Sequence, residues 1–242
     1  MTLPDPWRRL RAVTPARIGL ARTGDAPSVA ELLDFQLACA KARDAVQAAL
    51  DVAPLVEALA PLPVIEVRSA ARNRADYLRR PDLGRQLAEA DRERLHPDGQ
   101  ELIFVIADGL SARAVAAQAA PTVLACLDRL PGRRCAIVAV HQGRVAIGDE
   151  IGERLGARLV VVLIGERPGL SVPESLGAYL TLDPRVGRRD SERNCVSNIH
   201  VHGLSPVQAA ERITWLVRAG EALGATGIAL KDRSGDPPRL GG

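Results

Sequence analysis

Aromatic side chains are nearly missing from this sequence, with two Trp, two Tyr and two Phe among 242 residues. Proteins that grip nucleic acid usually set aromatic platforms in a basic groove, so the scarcity argues against that partner. Lysine is rarer still: Lys41 and Lys231 are the whole complement, and arginine carries the remaining positive charge. The formal net charge is +3, with acidic and basic residues interspersed, and no basic stripe emerges. Long apolar runs are also missing. None approaches the roughly 20 residues that span a bilayer, and MTLPDPWRRLRAV lacks the apolar stretch of a secretory signal. The four cysteines, Cys39, Cys126, Cys135 and Cys195, form no C-x-x-C pair. In a chain of this length without such a signal they read as reduced thiols in a cytosolic protein.

What is present is small and aliphatic. Apolar residues make up 47% of the chain, enough for a large core built from Ala, Leu, Val and Ile. Residues 1–27, rich in Pro, Arg and Gly, read as an extended arm with turns. Residues 28–50 read as a helix, with Ser28 and Glu31 forming a capping box. Pro54, Pro61 and Pro63 then break the chain. A short helix is expected from Pro81 to about Leu95, and a domain boundary is placed near residue 80. That boundary divides an N-terminal arm and helical region, 1–80, from a sheet domain, 81–242.

Beyond residue 100, apolar runs alternate with helical patterns. Strands are expected at Leu102–Ala107, at CAIVAV (135–140), at RLVVVLIG (158–165) and at AYLTL (178–182). The helices between them are SARAVAAQAAPTVLACLDRL, despite Pro121, and GDEIGERLGA; SPVQAAERITWLVRAGEALGA closes the pattern with Pro206 in its first turn. Uniformly apolar strands alternating with helices indicate an α/β fold, a Rossmann-like parallel sheet with helices on both faces.

Ligands of such sheets bind beyond the carboxyl ends of the strands. The first three strands exit into Asp108-Gly109-Leu110-Ser111, into His141-Gln142-Gly143 with a short extension over Arg144–Ile147, and into Gly165-Glu166-Arg167-Pro168-Gly169. RNCVSNIH follows the fourth strand and is expected to fold over the same edge as a loop. Each element also has a plain reading: Asp108-Gly109 as a turn with Ser111 as helix cap, Glu166-Arg167 as a solvated pair, Cys195 as a small buried residue. Asp108, Ser111 and His141 could form a hydrolase triad, but the G-x-S-x-G elbow is missing. Neither G-x-G-x-x-G nor G-x-x-x-x-G-K-[ST] occurs. Cys195, His200 and His202 make C-x4-H-x-H, which is no familiar zinc spacing.

The segments TPARIGLARTG, LLDFQLACAKARDAV, LIFVIADGLSARAV, QGRVAIGDEIGERLGARLVVVLIGERPGL and RNCVSNI, in this order, closely resemble the small (light) subunit family of ethanolamine ammonia-lyase. The resemblance runs from about residue 5 to residue 220. It implies an adenosylcobalamin-dependent lyase that converts ethanolamine to acetaldehyde and ammonia by a radical route. It implies a barrel-type large subunit that carries the substrate, the cofactor lying between the two chains, and a hetero-oligomer with six copies of each. Matching motif to motif, the cofactor contacts fall on Val145, Glu166 and Cys195, with no catalytic residue and no metal ligand in this chain. No D-x-H-x-x-G motif occurs, so the cofactor is expected to keep its own base on cobalt. Histidine nitrogen seen on cobalt by EPR would overturn that. The short arm before TPARIGL favours a free cytosolic enzyme over one enclosed in a bacterial microcompartment. The alternatives are a stand-alone α/β hydrolase using Asp108, Ser111 and His141, and a scaffold without activity.

Overall fold

A computed structural model describes residues 5–14, 16–20, 22–172 and 174–235. Parts of the expected arm (residues 1–4, 15 and 21) and residues 236–242 of the expected sheet domain lie outside that description, as does residue 173. The arm carries a short helix, α1 (Arg8–Arg11), and a two-stranded hairpin of β1 (Arg22–Thr23) and β2 (Ala26–Pro27). Helix α2 (Val29–Gln47) follows, its first turn capped by Ser28, whose hydroxyl accepts the Glu31 N–H. Then come α3 (Ala53–Leu59), β3 (Val64–Arg68) and α4 (Arg74–Arg79).

The single helix expected from Pro81 to Leu95 is instead two short pieces, a 3-10 turn at Leu83–Arg85 and α5 (Glu89–Arg92). The Ala70 and Ala88 N–H groups reach across this segment to the Gln86 and Arg68 carbonyls, an extended pairing that a continuous helix forbids. The remaining elements are β4 (Leu102–Ala107), α6 (Ala112–Arg129), β5 (Cys135–His141), α7 (Ile147–Leu155), β6 (Leu159–Gly165), β7 (Leu176–Leu182), β8 (Asn194–Ile199) and α8 (Pro206–Leu223). Pro121 sits inside α6 without ending it. Ser205 and Gln208 form a complete capping box at α8.

The main sheet has six strands in the order β3-β5-β4-β6-β7-β8. The first four are parallel, as expected of an α/β fold. β3 precedes residue 80, so the sheet draws on both sides of that position. β7 runs antiparallel to β6, with Leu182 opposite Leu159, and β8 runs antiparallel to β7. No helix intervenes between β6 and β7, and a direct return can only be antiparallel. RNCVSNI is therefore an edge strand and not a loop folded over the rim. One of its faces is buried through Val196 and Ile199, while Cys195 stays exposed.

Both faces of β4 and β6 are buried, which explains their uninterrupted apolar runs. Leu102, Phe104, Ile106, Val161 and Leu163 pack with α3, α6 and α8. Ile103, Val105, Val160 and Val162 pack with Ile147, Ile151 and Leu155 of α7. On the α7 side the outer strands present Tyr179 and Cys195 to an open cavity.

Candidate functional site

The parallel strands deliver three loops to one edge, and the loops lock onto one another. Asp108 is 1% exposed. Its two carboxylate oxygens accept the Gln142 and Gly143 N–H groups, each at 3.0 Å, so the exit of β4 holds the exit of β5. Burial pushes the Asp108 carboxyl up, against the pull of those N–H groups and of Arg74 at 3.6 Å. Gly109 has a φ of 55°, and a Cβ there would lie 2.3 Å from the Gly165 carbonyl oxygen. Only glycine lets the β4 and β6 exits approach this closely.

This wiring removes the hydrolase alternative. The Asp108 carboxylate is committed to loop N–H groups, Ser111 Oγ accepts the Ala114 N–H as an α6 cap, and His141 Nε2 faces Glu66 Oε1 at 2.7 Å. The partners described for the three side chains differ, and among the described residues no hydrogen bond links them into a triad. The expected strand extension at Arg144–Ile147 is also corrected. The Arg144 N–H donates to the Gly84 carbonyl and the Ile147 N–H to the Arg144 carbonyl, which turns the chain into α7.

Two open lobes lie along this edge and the adjoining sheet face. One, of about 350 Å³, is lined by Val145, Tyr179, Arg193 and Cys195 among others. The other, of about 390 Å³, is lined by Val145, Glu166, Tyr77 and Tyr179 among others. Arg144, Val145 and Tyr179 belong to both. The residues expected to contact cofactor thus share one concave surface. Val145 lies between the lobes, Glu166 in one and Cys195 in the other. Glu166 Oε2 accepts the Ser175 hydroxyl at 2.5 Å. A Cβ on Gly177 would come 2.8 Å from Glu166 Oε1, so the bare backbone of β7 makes room for the carboxylate. Cys195 is paired with Tyr179 across the β7–β8 ladder. Desolvation pushes the Cys195 thiol up despite its exposure. Burial, reinforced by Cys195, holds the Tyr179 hydroxyl well above its usual range, so it is a neutral phenol able to donate.

An ion pair braces the walls. Arg193, two residues before Cys195, donates to Asp149 Oδ1 at 2.6 Å and Oδ2 at 2.7 Å, and to Thr181 Oγ1 at 2.8 Å. Both side chains of the pair are nearly inaccessible, at 2% and 3%. Burial opposes the Arg193 charge, but the bonds to Asp149 outweigh it and hold the guanidinium above its ordinary value. Asp149 on α7 stands four residues after Val145, so the pair ties the turn that carries Val145 to the Cys195 wall on β8. Glu150 does the same toward the segment before β4, accepting from the Leu87 N–H and from Arg92 Nε, both at 2.8 Å.

Reading the sequence alone misses Tyr77, Arg144, Arg193 and Tyr179. A signal was available: in a chain with two tyrosines, both line this surface. Among the described residues no three His, Cys, Asp or Glu side chains gather to hold a metal ion. His200 Nδ1 accepts the His202 N–H, and Cys195 lies against Tyr179. For a large, mostly neutral corrinoid with peripheral amides, the donor set fits. Glu166 supplies an acceptor, Tyr179 a neutral hydroxyl, Val145 apolar surface, and Arg144 a buried Nε that has no acceptor among the described residues.

Comparison with known proteins places the chain in one family. The profile of the family described as ethanolamine ammonia-lyase light chain (EutC) matches residues 4–231. The chain is 54% identical to the ethanolamine ammonia-lyase small subunit of Rhodopseudomonas palustris, over 97% of this chain and 94% of that one. It is 52% identical to the protein of the same name from Bradyrhizobium diazoefficiens, over 98% and 95%. With that of Azotobacter vinelandii the identity is 47%, over 95% and 89%.

Proposed function

The chain belongs to the ethanolamine ammonia-lyase light-chain family, and on that premise we propose that it forms half of an adenosylcobalamin site completed by a large subunit. The relatives' shared description as a small subunit supports a larger partner chain. The observation that carries the cofactor reading is the gathering of Val145, Glu166 and Cys195 around Tyr179 on one open surface. Each lobe alone suits an ordinary ligand, whose pockets run about 300–1,000 Å³. Neither lobe is closed, and a corrinoid laid across both would keep one face for a second wall.

When bound, adenosylcobalamin supplies the one-electron chemistry of the lyase reaction. The work of this chain is to hold and shield. Glu166, acceptor-only when ionised, takes hydrogen bonds from ligand amides, and Ser175 fixes its orientation. Val145 presents compact apolar surface and loop backbone. Cys195 packs where a longer side chain would clash, and its upshifted thiol favours the neutral form over thiolate ligation. The substrate is bound by the large subunit in this reading. A closed interface would keep water from reactive intermediates. The six-to-six assembly and a cytosolic setting complete the proposal. Among the described residues no helix is long and apolar enough to cross a membrane.

Co-expression with the large subunit tests the proposal. The pair should co-purify, bind adenosylcobalamin with its visible absorbance, and release acetaldehyde from ethanolamine only when both chains and cofactor are present. Full turnover by the large subunit without this chain would leave only a scaffold role.

A further inference from the structure

Arg144 is placed with more care than a surface arginine needs. Its N–H donates to the Gly84 carbonyl at 2.7 Å. Its guanidinium carbon lies 4.2 Å from the Tyr77 ring centroid, and Nη2 donates to the Tyr77 carbonyl at 3.2 Å. A Cβ on residue 84 would come 2.8 Å from Arg144 Cγ, so a glycine there leaves space for this side chain. Arg74 covers the same ring at 4.7 Å.

Among the described residues no carboxylate forms an ion pair with Arg144; the buried Asp108 carboxylate faces Arg74 instead. Glu150 is taken by Arg92 and Arg154, and Asp149 by Arg193. Arg144 Nε is buried and has no hydrogen-bond partner among the described residues. A buried donor without an acceptor is costly, and the half-buried guanidinium keeps a charge that no described carboxylate pairs. The rest of the Arg144 side chain lines both lobes, and Arg85 adds a second positive charge to the one holding Cys195, where Asp190 is paired with Arg193.

The amides around a corrin ring are neutral. The formal negative charge of the cofactor's periphery is the phosphodiester of its nucleotide tail. A planar guanidinium matches phosphate oxygens better than it matches a single carbonyl. Resting on the cofactor reading above, we infer that Arg144, with Arg85 beside it, holds that phosphodiester in the lobe between Val145 and Cys195.

The test is binding by the complex of the two subunits, read by equilibrium dialysis and absorbance without reference to turnover. Three ligands are compared: adenosylcobalamin, adenosylcobinamide methyl phosphate, which keeps the phosphodiester but not the base, and adenosylcobinamide, which has neither. Arg144→Gln should weaken the two phosphate-bearing ligands by about 10- to 100-fold, the loss expected of a hydrogen bond to a charged group. It should change adenosylcobinamide affinity by less than about twofold. Arg144→Lys, which keeps charge but not the fork, should fall between wild type and Gln for the phosphate-bearing pair alone. An equal loss on all three ligands, from either variant, overturns the assignment in favour of a neutral acceptor or a packing role. Failure of the wild-type complex to bind any of the three overturns the cofactor reading itself, and this inference with it.

Discussion

Glu166 keeps one carboxylate oxygen on the Ser175 hydroxyl and the other above the bare backbone of Gly177, an arrangement built before any ligand arrives. An acceptor so preorganised loses little freedom on binding, so its removal should be felt mainly as lost affinity. Glu166→Ala is expected to raise the adenosylcobalamin dissociation constant about tenfold, the value of one charge-assisted hydrogen bond. The KM for ethanolamine should change by less than about twofold, because substrate contacts belong to the large subunit in this reading. Comparable changes in both constants would remove Glu166 from the cofactor wall. Asp108 shows how local reading can succeed and still understate a residue. Its place in a strand-to-helix turn capped by Ser111 was expected, but its clasp on the β5 exit links residues 34 and 35 positions apart.

Helix α7 carries more of the site than its nine residues suggest. Its first-turn acids, Asp149 and Glu150, sit where the helix dipole favours negative charge. Both are also buried and clamp separate segments, Arg193 on one side and Leu87 with Arg92 on the other. Gly148 lets the helix settle on the sheet, since a Cβ there would stand 2.4 Å from Val162 Cγ2. Arg193→Met tests the clamp. Leaving Asp149 buried without its partner should cost about 3–5 kcal/mol, lowering Tm by roughly 10 °C in a chain of this size. Pairing it with Asp149→Leu should recover part of that loss, because the double variant buries no orphaned charge. Thermal unfolding of the three variants checks this, and an unchanged midpoint for Arg193→Met would remove the brace from the argument.

β3 forms one border of the six-stranded sheet, and Leu50, Val52, Leu55 and Leu59 belong to the same core as α6 and the central strands. A chain beginning at residue 81 would expose β5 as a new edge and strip those four aliphatic side chains from the core. It should lose at least several kcal/mol, at about 1.5–3 kcal/mol for each fully buried aliphatic side chain, and should aggregate through the bared edge. Solubility and a Tm within about 2 °C of the full chain would instead establish residues 1–80 as an independent unit.

The apolar runs of β4, β5 and β6 and the caps at Ser28, Ser111 and Ser205 are local facts, written in neighbouring residues, so the α/β class and three loops at one edge follow from the sequence. β3 and β8 did not follow. VIEVR and NCVSNI mix polar with apolar residues because a border strand buries less of itself than a central one, and that pattern resembles a loop. The direction of β7, the meeting of Tyr179 with Cys195, and the pairing of Arg193 with Asp149 join positions 16 and 44 residues apart. Such contacts are fixed by how the strands close into a sheet and what the closed sheet can bury, so no stretch of sequence contains them. Arg144 is the clearest case. Its neighbours in the chain mark a turn, and its neighbours in space bury its Nε with no acceptor among the described residues.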